Sequence, residues 1–267
     1  MRTRLVKTLL ATAALASVIA PAAIAADLTD VGFLDQSAVG SLPQFARANA
    51  QLAQYKSQLD SQFAAAMRGA RSDADKQRVS LQFQQQFADK QREVVGPLFQ
   101  RAQLAIAQVA GSKNLSVVVD KRIVVYGGQD ITKDVTGALQ SSQALTPPSA
   151  SPPPSSIGYV DQTALDGSTK VKDAADQLQK YQTDEQKAYS GKLQAAKTDI
   201  DKQAVLAEYN KALQDKKDAL LKPLVDQTKS ATADAAKKHS LLLVIDRADI
   251  IYGGTDITKD VQDTLNK

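Results

Sequence analysis

Between residues 31 and 140 the chain shows three successive kinds of hydrophobic pattern. A short apolar run, Val31–Leu34, ends at Asp35-Gln36 and predicts a strand. From Phe45 onward, Ala48, Leu52, Tyr55, Leu59, Phe63 and Met67 recur every three or four positions, which is one apolar stripe along a helix. The stripe stops at Gly69. Ser72 followed by Asp75 has the spacing of a helix start, and a second stripe then runs through Val79, Phe83, Phe87, Val94, Leu98 and Ala102. Two long helices with facing stripes and a tight connection predict a helical hairpin. Pro97 lies in the returning helix, where a missing N–H and a clash with the preceding turn predict a kink or break between arm and base. Beyond it, Leu115–Asp120 and Ile123–Tyr126 are β-branched runs ended by Gly127-Gly128, and they predict two strands. A short helix over Ile131–Leu139 closes the segment.

The same pattern returns 126 residues later without a gap. Val31-Gly-Phe-Leu-Asp-Gln falls on Ile157-Gly-Tyr-Val-Asp-Gln, and Pro97-Leu98 falls on Pro223-Leu224. Tyr126-Gly127-Gly128 falls on Tyr252-Gly253-Gly254, and Ile131-Thr-Lys-Asp-Val135 recurs as Ile257-Thr-Lys-Asp-Val261. A unit this long excludes a short-period solenoid and reads as a tandem duplication. Between the copies, Ser141–Ser156 holds five prolines among serines, the composition of an extended linker. The predicted organisation is a leader over 1–25, one repeat over 26–140, the linker over 141–156 and a second repeat over 157–267. The fold class is α+β. In each repeat a long helical hairpin stands on a β-strand body too small to be stable alone, so the strands are expected to pool with those of other copies.

The leader carries the marks of an export signal. Arg2, Arg4 and Lys7 precede an uncharged apolar run over Leu9–Ala20, and Ala23-Ile24-Ala25 offers a cleavage site that would leave Ala26 first. The chain has 33 Lys and Arg against 29 Asp and Glu. Three of those cations belong to the leader, so the mature chain is close to neutral and lacks the basic excess expected of a nucleic-acid binder. With no Cys and one His, thiolate metal sites, disulfides, a cysteine nucleophile and multi-histidine metal sites are excluded. No catalytic residue, cofactor or metal is expected. Gly127-Gly128 lacks the Lys-Ser/Thr of a phosphate loop and fits a strand-to-helix turn. Asp130 or Thr132 is expected to cap the closing helix. Asp35, Asp120, Asp161 and Asp246 are expected as caps or turn formers, and His239 as a solvent-facing residue.

Several of these segments resemble the Skp (OmpH-like) family of periplasmic chaperones. The likeness lies in Val31-Gly-Phe-Leu-Asp after a leader, in the helical middle, in Leu115-Ser-Val-Val-Val-Asp120 leading to Val125-Tyr126, and in Asp130-Ile-Thr-Lys-Asp-Val135. Leu241–Asp246, Ile251-Tyr252 and Asp256–Val261 repeat it. The resemblance implies a small β body assembled from three subunits, with helical arms enclosing a cavity. It also implies ATP-independent holding of unfolded outer-membrane proteins in the periplasm. For this chain it suggests a homo-oligomer, with a trimer of tandem units favoured. Two copies per chain and near-neutral charge depart from the family. The basic residues that bind lipopolysaccharide in the family have no position-by-position match, so peripheral membrane or lipopolysaccharide contact is left open. Candidate client-contact residues are Phe63, Met67, Phe83, Phe87, Tyr189 and Tyr209, each of which could instead pack a hairpin seam. All six Phe lie in the first repeat, while 17 basic and 18 acidic residues crowd the second, against 13 and 11 in the first. The first arm is therefore expected to be the greasier client surface. The alternative class is a structural coiled-coil scaffold of the envelope that binds one defined partner.

Overall fold

The computed structural model describes residues 28–148 and 150–266; the proposed leader over 1–25 lies outside them. The described chain is α+β. It divides into a first unit, Asp27–Pro154 with Ile251–Gly253, and a second unit made of Ser155–Ile250 with Gly254–Lys267.

In the first unit, strand β1 (Val31–Leu34) leads through a five-residue helix, α1 (Gln36–Gly40), into α2 (Pro43–Gly69). Helix α3 (Asp73–Ser112) returns, followed by β2 (Val117–Asp120), the two-residue strand β3 (Gln129–Asp130) and α4 (Thr132–Gln140). The second unit repeats the order as β4 (Ile157–Val160), α5 (Gln162–Asp166), α6 (Thr169–Ala195) and α7 (Asp199–Lys238). It continues with β5 (Leu243–Asp246), β6 (Ile250–Gly253), β7 (Thr255–Asp256) and α8 (Thr258–Leu265). Both hairpins pair a 27-residue helix with a 40-residue one. At 1.5 Å per residue these are about 40 and 60 Å long.

The break after Gly69 and the start at Asp73 fall where the pattern placed them. The Ser72 hydroxyl accepts the Asp75 N–H at 3.1 Å. At the matching corner Thr198 and Asp201 form a reciprocal capping box, with the Thr198 hydroxyl accepting the Asp201 N–H at 3.1 Å and the Asp201 carboxylate accepting the Thr198 N–H at 3.2 Å. The proline expectation needs correcting in part. Helix α3 runs through Pro97 and α7 through Pro223 without a break. A proline removes one helical hydrogen bond, worth about 3 kcal/mol with its clash, and the long stretches of helix on either side keep the axis continuous.

An out-and-back hairpin delivers the chain to the sheet in its original direction, so β1 pairs parallel with β2, Val31 opposite Val117 and Leu34 opposite Asp120. Strands β4 and β5 pair the same way, Ile157 opposite Leu243. The short strands β3 and β7 flank β1 and β4, also in parallel; two residues are too few for a hydrophobic period to reveal. Gly32 and Gly158 permit these sheets. A Cβ on Gly32 would sit 2.5 Å from the fully buried Leu115 side chain, and one on Gly158 2.4 Å from Leu241.

The expected strand at Ile123–Tyr126 is absent. A single 3-10 turn covers Lys121–Ile123, and Val125 and Tyr126 project into solvent. The matching residues form β6, which lies beside β2, giving the first unit a sheet of order β3-β1-β2-β6. The second unit's sheet has the order β5-β4-β7. A strand needs a partner ladder, and the same sequence pattern forms one where an edge is supplied and none where it is not.

The core of each unit sits at the base of its hairpin. In the first, Leu34, Ile106, Val118, Ile131 and Val135 pack together; in the second, Val160, Ala231, Leu241, Ile257 and Val261 do so. The recurring Asp-Ile-Thr-Lys-Asp-Val segment closes both cores. Ile131, Val135, Ile257 and Val261 are fully buried. The Thr132 hydroxyl accepts the Asp35 N–H at 3.0 Å, and Thr258 accepts that of Asp161 at 2.9 Å, which ties the closing helix to the end of the first strand. Neither closing helix has a side-chain N-cap, contrary to the expectation for Asp130 or Thr132. Instead Asp130 accepts the Thr132 N–H at 2.9 Å one step earlier, as Asp256 does for Thr258.

Candidate functional site

The two helical hairpins carry the candidate residues. Phe63 on α2 and Phe83 on α3 meet edge to face, ring centroids 5.4 Å apart. Tyr189 on α6 and Tyr209 on α7 meet at 5.3 Å in the corresponding place. These rings lie in the hairpin seams. Phe63, Met67, Phe83, Phe87 and Tyr209 are half-buried and Tyr189 is buried, so each gives at most part of its surface to solvent.

The second seam adds polar links. Lys192 bridges to Glu208 at 2.9 Å across the hairpin and lies over the Tyr189 ring at 4.3 Å. Burial is the main cause that raises the Tyr189 phenol above its ordinary pKa, and the Glu208 carboxylate that accepts its hydrogen bond adds to it. Hydrogen bonds from Lys192 and then Tyr189 hold the Glu208 carboxyl below the usual range. A phenylalanine seam is closed by apolar contact alone; a tyrosine seam needs partners for its hydroxyls.

Exposed apolar side chains occur elsewhere on the arms. Leu81 and Phe99 on α3 are each 60% exposed, and Ile200 and Leu206 on α7 are also exposed. They stand singly among charged and amide side chains, as the i,i+4 pair Lys56–Asp60 at 2.7 Å and its analogue Lys211–Asp215 at 2.6 Å illustrate. The stripe analysis missed these four because it sought residues in phase with the seam. Leu81 and Ile200 fall out of that phase, and such departures were the available signal. Phe99 was legible as an aromatic but not as exposed, since it lies edge to face against Phe45, centroids 6.4 Å apart.

The recurring carboxylates act structurally. Asp35 caps α1, accepting the Ser37 N–H at 2.9 Å, and Asp161 caps α5. Asp120 is fully buried and accepts from the Arg122 N–H at 2.8 Å and the Gln36 amide at 2.8 Å, with the Arg122 guanidinium at 3.0 Å. Burial pushes its carboxyl up, but the hydrogen bonds and charge of Arg122 and the Gln36 amide together hold it below the ordinary value. Asp246, its counterpart, is half-buried and accepts the Ala248 N–H at 2.8 Å.

His239 is partly shielded rather than open to solvent. It ends α7 with its Nε2 2.5 Å from Asp260, which also binds Lys238 at 2.7 Å. The matching pair in the first unit is Lys113–Asp134 at 3.1 Å. The Lys238 and His239 hydrogen bonds hold the Asp260 carboxyl below its usual range. Among the described residues no group of three His, Asp or Glu side chains is placed to hold a metal ion, and no helix is long and apolar enough to cross a membrane.

Residues 70–139 match the family model described as "Outer membrane protein (OmpH-like)". The match spans the returning helix, β2, the segment after it and the closing helix. The family named on the sequence motifs is thus found over the first unit's second half. No curated protein and no solved structure matches the chain.

Proposed function

We propose that this protein is an ATP-independent holdase of the periplasm, in which helical arms enclose unfolded outer-membrane proteins and keep them from aggregating. The observation that carries this reading is the surface of the paired rods: long, charged, and dotted with isolated apolar side chains such as Leu81, Phe99, Ile200 and Leu206. A surface of that kind makes many weak contacts with a disordered chain and no deep trap, so a client stays bound yet can leave for a more stable folded state. The OmpH-like match over 70–139 supports the same class of function. We take the two units to be products of a tandem duplication, exported behind the 1–25 leader and joined by the 141–156 linker. Phe63, Met67, Phe83, Phe87, Tyr189 and Tyr209 contribute to client contact where a seam loosens, and Leu81, Phe99, Ile200 and Leu206 contribute directly.

The test is dilution of a denatured β-barrel protein into buffer with and without the purified chain, no nucleotide added, followed by light scattering. Suppressed scattering at stoichiometric amounts supports holding. Undiminished aggregation at molar excess defeats it, and tight binding to one folded partner with indifference to unfolded chains would identify a scaffold.

A further inference from the structure

The segment after β2 is exposed where its counterpart is a strand. Val125 is 100% exposed and Tyr126 95%, an unusual state for two adjacent large apolar residues. Their counterparts Ile251 and Tyr252 belong to β6 and pack against the first unit's core. Seating β6 also requires close backbone approach: Gly253 has φ +67°, and a Cβ there would lie 2.1 Å from the Ser116 carbonyl oxygen.

The strand able to receive Val124–Tyr126 is also present, and it is bare. Strand β5 is the end member of the sheet β5-β4-β7. Its four residues are all half-buried, whereas all four of β2 are buried beneath the added strand. Leu242 is 41% exposed, whereas its counterpart Ser116 is fully buried. Leu242 donates its N–H to Ser156 at 2.8 Å, on the β4 side, just as Ser116 donates to Asp30 at 2.8 Å on the β1 side. Parallel ladders alternate, so Leu243 and Ile245 turn their backbone groups toward the bare side. An edge strand presenting such a row is a template for another strand.

We infer that Val124–Tyr126 of one chain adds as a strand to the β5 edge of a second copy of this chain, reproducing the joint that β6 makes with β2. The occupant is a second copy because the matching joint shows which sequence such an edge accepts, Ile-Ile-Tyr-Gly-Gly. Val124-Val125-Tyr126-Gly127-Gly128 is its counterpart in this chain, and its valine and tyrosine stand exposed. Each copy offers one donor and one acceptor, so the contact is head-to-tail and closes into a ring. This rests on the holdase reading in that the ring would gather the arms around one space, but its test needs no client.

The experiment begins with the mass of the purified chain in solution. A multiple of the chain mass is expected, falling to a single chain in V125D with the helical circular dichroism retained, because that side chain touches nothing in the isolated fold. Separately, Y126C and L242C proteins are mixed and treated with a short bis-maleimide; the chain has no other cysteine. A two-chain product supports the inference. A monomeric wild type overturns it, as does reaction confined within a Y126C/L242C double variant, or capture of an unfolded client by L242C in place of a second copy. A monomer that still suppresses client aggregation would end this inference and leave the proposed function standing.

Discussion

The two units run the same sequence of elements over the same lengths, yet their sheets end differently. In the first, β2 reads Val-Val-Val-Asp, lies between β1 and β6, and is buried at every position. In the second, β5 reads Leu-Val-Ile-Asp, lies at an edge, and is half-buried at every position. The side chains are similar in size and apolarity, so composition does not cause the difference; the presence of one more strand does. Burial of a strand belongs to its neighbours as much as to its residues.

The largest effect that would sharpen this comparison concerns Val117 and Leu243, which occupy equivalent positions. Val117→Ala should cost about 2–3 kcal/mol, since it empties a fully buried site, while Leu243→Ala should cost less in the monomeric V125D background. Hydrogen exchange at β2 and β5 amides reads the two separately, and equal losses would break the comparison.

A second contrast is Asp120 against Asp246. Asp120→Ala strips the acceptor from Gln36 and Arg122 and should cost about 1–3 kcal/mol. The Asp120 carboxyl is held below its unfolded value, so its contribution is present above the ordinary carboxylate pKa near 3.9 and is lost as pH falls through the lower folded value. The variant should therefore be less stable at neutral pH and show a shallower loss of stability on acidification. Asp246→Ala should change the acid limb little, a comparison that urea unfolding from pH 7 down to 3 makes directly.

Smaller effects belong to the corners and seams. Thr198→Ala and Ser72→Ala should each cost about 1 kcal/mol through a lost N-cap, and the reciprocal box should make Thr198 the costlier of the two, as read by thermal melting. Tyr189→Phe should cost about 0.5–1 kcal/mol by deleting the bond to Glu208. The combined Tyr189→Phe, Tyr209→Phe change recreates the first seam. If seam chemistry governs client holding, that variant should bring the second unit's aggregation suppression toward the first's; unchanged suppression would separate seam from function.

The helices, their corners and the cores were legible along the chain. Spacings of three and four fixed which faces of α2, α3, α6 and α7 meet, Ser72 and Thr198 marked the starts after each turn, and the 126-residue echo announced two units of one plan. These signals are local, and a helix satisfies its own backbone within a few residues. Export rests on the leader motif, outside the described residues.

Strand formation could not be settled that way. Val124–Tyr126 and Ile250–Tyr252 carry the same β-branched, aromatic signature; one is a strand and the other is exposed, because a strand's hydrogen bonds come from an edge far away in sequence. The burial of Asp120, the exposure of Phe99 and the pairing of His239 with Asp260 share that origin. The amino-acid order determined which segments are rods, where they turn and which residues could enter a sheet. Only the tertiary structure decided which edges were filled, since each ladder needs a second chain segment brought alongside to bond its N–H and C=O groups.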